Sequence, residues 1–103
     1  GEQTTAYAVS PARPALDLAA TALLVSPGAT RSATLGCANR GRLAYAWTAT
    51  AFATARPPSP DLASAITVRR SDRAAEVSVT VAASATLPRT ARAIVQIGVA
   101  CTR

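Results

Sequence analysis

One alternating segment, Arg31 to Cys37, ends on a cysteine, and the next, Leu43 to Ala51, carries the only tryptophan, Trp47. The second cysteine, Cys101, stands almost at the C-terminus. Zinc needs about four ligands, and a chain with no histidine offers nothing to complete a set around two thiols. The pair therefore fits a single disulfide of an oxidising compartment, closing a loop that contributes on the order of 4 kcal/mol. Two unpaired buried thiols in a cytosolic chain are the alternative.

Such a staple matters because the core has little to work with. A length of 103 residues makes one domain, and although 50% of it is apolar, about a quarter is alanine. The large core candidates are Leu16, Leu18, Leu23, Leu24, Leu35, Tyr45, Trp47, Ile66, Val68, Val77, Val79, Val81, Val95, Ile97 and Val99. No apolar run approaches the ~20 residues needed to span a bilayer. The chain has no methionine, as expected of a mature, secreted product from which a leader has been removed. Its charge of +6 comes from arginine without lysine, which a GC-rich coding sequence explains. Without lysine it cannot supply the amine of an isopeptide cross-link, so any polymer must form by another route.

Period-two alternation runs through most of the chain. Thr4 to Ser10 forms a short strand pattern with Thr5, Tyr7 and Val9 on one side, set apart by Pro11 and Pro14. Leu16 to Val25 reads as a strand with Leu16, Leu18, Ala20, Ala22 and Leu24 on one face and a bulge near its doubled leucines. Ser26-Pro27-Gly28 is a turn. Arg31 to Cys37 turns Ala33, Leu35 and Cys37 inward, and Asn39 or Gly41 supplies the positive φ of the next reversal. In Leu43 to Ala51 the expected inner face is Leu43, Tyr45 and Trp47, with Ala44, Ala46, Thr48 and Thr50 outside. Arg56 to Asp61, rich in proline, is an exposed crossing loop. Ala65 to Arg69, Glu76 to Ala82 and Ala93 to Cys101 complete the strands, the last facing inward through Val95, Ile97, Val99 and Cys101. The expected fold is an all-β, two-sheet sandwich of about six core strands over residues 15–103, preceded by an N-terminal arm, 1–14, with a detached strand.

A cysteine, a tryptophan ten residues on and a distant second cysteine resemble the immunoglobulin-like pattern, in which strands B and F are bridged and the strand C tryptophan packs on the bridge. Val99 stands where antibody-type domains carry a tyrosine. With six strands A to F alternating in direction, Cys37 and Cys101 finish at the same end of the sandwich, which makes the last strand F and leaves no strand G. Strand F would then be an open apolar edge. The arm carrying Thr5, Tyr7 and Val9 resembles the donor strand of complemented pilin subunits, which implies an extracellular filament of copies of this chain assembled by strand donation. The alternative is an adhesion or recognition module of a larger surface protein.

Catalysis is poorly supplied. There is neither histidine nor lysine, and Glu2, Asp17, Asp61, Asp72 and Glu76 are the only carboxylates, so no nucleophile with its base and no metal cluster is assembled, and no cofactor is implied. The strand directions gather Arg40, Arg42, Arg69, Arg70, Arg73 and Arg103 toward one end, a basic rim that would suit an acidic protein or glycan surface. Four aromatic residues without interleaved spacing argue against nucleic acid.

Overall fold

The computed structural model describes residues 16–53 and 60–103. Six strands carry the fold: β1 (Leu16–Val25), β2 (Thr30–Gly36), β3 (Arg42–Ala53), β4 (Ile66–Asp72), β5 (Glu76–Ala83) and β6 (Arg92–Thr102), with one short helix, α1 (Pro60–Ser64), before β4. They form two antiparallel three-stranded sheets, ordered β1-β6-β3 and β2-β5-β4. The expected crossing loop lies partly outside the described residues. Its end is helical rather than extended, since proline is tolerated in a first helical turn where its missing N–H is not needed.

The turns follow from their residues. Ser26-Pro27-Gly28-Ala29 is a type II turn, with Pro27 at the second position, Gly28 at φ 79° and Ala29 N donating to Ser26 O at 3.0 Å. Between β2 and β3, Asn39 and Arg40 both adopt positive φ (53° and 58°) and Gly41 N donates to Ala38 O, the geometry of a type I′ turn. Arg40 thus takes the position expected of glycine. Gly41 is needed for room instead, because a Cβ there would come within 2.5 Å of Thr102 O.

The two sheets pack through Leu23 and Val25 of β1, Val77, Val79, Val81 and Ala83 of β5, and Ala93, Val95, Ile97 and Val99 of β6, all buried. Leu35, Leu43, Phe52, Ile66 and Val68 are half-buried against them. Each fully buried valine, leucine or isoleucine contributes about 1.5–3 kcal/mol. Leu87, in the loop after β5, also joins this cluster. Cys37 and Cys101 are joined with Cα atoms 5.8 Å apart, which ties the end of β2 to β6 and so one sheet to the other.

Three expectations are corrected. First, β6 is not an open edge. It is the middle strand of its sheet, with β3 on one flank and β1 on the other in unbroken register from Leu16 opposite Thr102 to Val25 opposite Ala93. The type II turn carries the chain from one sheet into the other, so β1 covers the flank of β6 instead of extending the sheet of β2.

Second, β1 has no bulge and its phase is opposite to the one expected. Asp17, Ala19, Thr21, Leu23 and Val25 share the inner face with the buried residues of β6, while Leu16, Leu18 and Leu24 are exposed. Third, the irregularity lies in β3. Leu43 opposes Cys101 and Tyr45 opposes Ala100, so Ala44 is an extra residue. Because the side-chain period is two, one extra residue moves everything after it to the other face. Tyr45 and Trp47 consequently leave the core and point outward, while Ala46, Thr48, Thr50 and Phe52 turn inward.

A candidate contact face on the outer side of one sheet

The β3 bulge and the phase of β1 together build an apolar outer surface on the β1-β6-β3 sheet. Across the three strands the outward residues stand in rows: Leu16, Thr102 and Arg42; Leu18, Ala100 and Tyr45; Ala20, Gly98 and Trp47; Ala22, Gln96 and Ala49; Leu24, Ile94 and Ala51. Leu18 is 67% exposed, Tyr45 54%, Leu24 43% and Leu16 41%. An exposed large apolar residue is ordinary alone, but a continuous set of them on one sheet face is the mark of a contact surface.

Trp47 is held by what lies beneath it. Its indole rests on Gly98, where an added Cβ would fall 1.9 Å from the ring, and its centroid is 5.9 Å from that of Tyr45 at a tilt of 41°. Tilted aromatic pairs at this separation add about 0.5–1.5 kcal/mol to the area they bury. Gly98 and Ala100 are buried although they belong to an outer face, because the larger side chains flanking them roof them over. Small residues on β6 at these two rows make the aromatic ridge possible, and that cross-strand pairing of glycine and tryptophan is the signal a reading of each strand alone misses.

The other sheet is chemically different. Its outward residues include Ser32, Thr34, Ser78 and Thr80, whose hydroxyls pair across strands, Ser32 with Thr80 at 3.0 Å and Thr34 with Ser78 at 3.1 Å. That face is polar and partnered. The two strands at the flanks of the apolar sheet are also held: Arg31 Nη1 donates to the Leu24 carbonyl and Arg70 Nη1 to the Ala46 carbonyl, each at 3.1 Å, so an arginine of the second sheet meets a main-chain carbonyl of each flanking strand of the first. Charged side chains on edge strands discourage pairing with foreign strands. The surface left open for a partner is a face rather than an edge.

The arginines fall in distinct places. Backbone bonds from Cys37 N to Ala75 O and from Leu43 N to Ala74 O bring the β2–β3 and β4–β5 connections together at the disulfide end. Arg40 and Arg73 lie in these connections and Arg42 beside them at the start of β3. Arg103 binds Asp17, with Nη2 and Nε 2.7 and 2.8 Å from Oδ1, and this hydrogen bond, with the carboxylate's charge, holds its guanidinium above the ordinary arginine range. Arg70 is engaged with Ala46 O and with Asp72 at 3.0 Å. Arg69, opposite Thr80, shares the hydroxyl-bearing outer face, whereas Arg42 is on the apolar one. These residues therefore do not form one patch. Thr5, Tyr7 and Val9 lie outside the described residues.

Among the described residues no cluster of three or more histidine, cysteine, aspartate or glutamate side chains is present, and no cavity opens. Both cysteines are bridged. No helix among them is long and apolar enough to cross a membrane. No protein-family model, curated protein or solved structure matches the chain.

Proposed function

We propose that this chain is an extracellular, non-enzymatic recognition or assembly module of the immunoglobulin-like kind, acting by protein contact through the outer face of its β1-β6-β3 sheet. The observation that carries this reading is the joint exposure of Leu18 and Tyr45 on either side of the Gly98-seated Trp47. The adjacencies β2-β5-β4 and β3-β6 support the immunoglobulin-like part, being those of strands B-E-D and C-F in such sandwiches, with β1 standing where a strand G would lie. The disulfide fits an oxidising, extracytoplasmic compartment. A filament made by inserting residues 4–10 beside β6 finds no free flank there, since both are occupied.

The test is binding of the native domain to a panel of immobilised extracellular proteins, itself included. It is compared with Leu18→Ser/Tyr45→Ser on the apolar face and Ser32→Ala/Thr34→Ala on the hydroxyl face. Both pairs are exposed, so each variant should keep its fold. Every contact made by the native domain should weaken at least roughly tenfold in the first variant and persist in the second. Contacts that survive the first substitution and vanish with the second would overturn the reading.

A further inference from the structure

The relief of the apolar face is uneven along the strands. Its bulky residues, Leu16, Leu18, Tyr45 and Trp47, crowd the three rows nearest the disulfide, whereas the rows beyond offer Ala22, Ala49 and Ala51 as a shallow floor bounded by Leu24 and Ile94. Such a surface complements itself. A two-fold axis lying in the plane of contact, perpendicular to the strands and passing between the row of Trp47 and the row of Ala49, lays each ridge on the floor of a second copy. Tyr45 then meets Ala51 of the second copy, Trp47 meets its Ala49, and Leu18 meets its Leu24.

Building on the contact-face reading, we infer that the face is occupied by a second copy of this chain, in a two-fold, sheet-on-sheet dimer. An isologous contact needs a patch that is its own complement, as this one is. From the strand spacing and rise, the five rows cover about 30 by 15 Å, or about 500 Å² of each copy. The total of about 1,000 Å² sits at the lower limit of a specific interface, so the dimer is a weak one. Its charge pattern points the same way. The only charged residues facing outward from this sheet among the described ones are Arg42 and Arg92, near opposite ends, with no carboxylate among them. In the two-fold arrangement these arginines approach their counterparts at the rim, where they stay in water and repel weakly. Salt screens that repulsion and strengthens apolar burial, so association rises with ionic strength, whereas docking of an acidic partner against the same arginines would fall.

Sedimentation equilibrium of the native domain from micromolar to millimolar concentration tests the inference. The expected result is a monomer–dimer equilibrium that tightens with added salt. Ala49→Arg, at an exposed floor position, should weaken it at least roughly tenfold while leaving the thermal midpoint close to native, and Ser32→Arg on the opposite sheet should leave it unchanged. A native domain that stays monomeric at millimolar concentration would overturn the inference, as would a dimer that ignores Ala49→Arg and dissociates with Ser32→Arg. A monomer whose panel binding is still lost in Leu18→Ser/Tyr45→Ser would refute the dimer alone and leave the contact face standing.

Discussion

Replacing Cys37 and Cys101 together by alanine should lower the unfolding free energy by about 4 kcal/mol, the loop-closure value for a separation of 64 residues. Domains of this size are stable by only about 5–15 kcal/mol, so the loss is a large share of the whole. The effect should fall near the upper end here because the core is built from few large side chains. The inward face of β1 supplies only Leu23 and Val25 as large buried residues, and the aromatic pair of β3 points away from the core. The bridge also joins the two sheets directly, so its loss bears on their docking rather than on either ladder. Urea unfolding followed by far-ultraviolet circular dichroism measures it. A change of less than about 1 kcal/mol would mean that sheet packing alone carries the fold.

Gly98→Val should cost about 1–3 kcal/mol, although valine is ordinarily the better strand residue. The added Cβ would lie 1.9, 2.1 and 2.4 Å from three indole atoms, so Trp47 has to leave its seat and break its contact with Tyr45. Displacement into solvent should shift the tryptophan emission to longer wavelength. The penalty belongs to the pair, and Trp47→Ala/Gly98→Val should cost clearly less than the sum of the two single changes, by roughly 1 kcal/mol or more. Strict additivity would mean that the two residues do not meet.

The outcome at these positions shows what the residue pattern encodes and what it leaves open. Alternation located all six core strands to within a few residues, β1 at both ends, because a half-buried strand must present every second residue to the core. The cysteine pairing was legible from composition and strand direction. The phase of β3 was not, since a single extra residue at Ala44 inverts the strand and nothing in Leu43-Ala44-Tyr45 announces it. Nor could Leu16 to Val25 declare which sheet it joins. Its own leucines suggested one inner face, yet pairing with β6 selects the other, leaving Asp17 on the inner register where it meets Arg103 near the end of the sheet. The arginines follow the same rule: strand direction brings several toward one end, but strand phase sends Arg42 and Arg69 to opposite sides of the sandwich.

Everything proposed about contact depends on Trp47 lying outside the core, and the through-space proton contacts of its indole in the NMR spectrum of the native domain test that most directly. The expected contacts are to the Gly98 α protons and the Tyr45 ring. Contacts from the indole to Val79 or to the Cys37 methylene would instead put the ring between the sheets, on the disulfide, and would contradict the outward face.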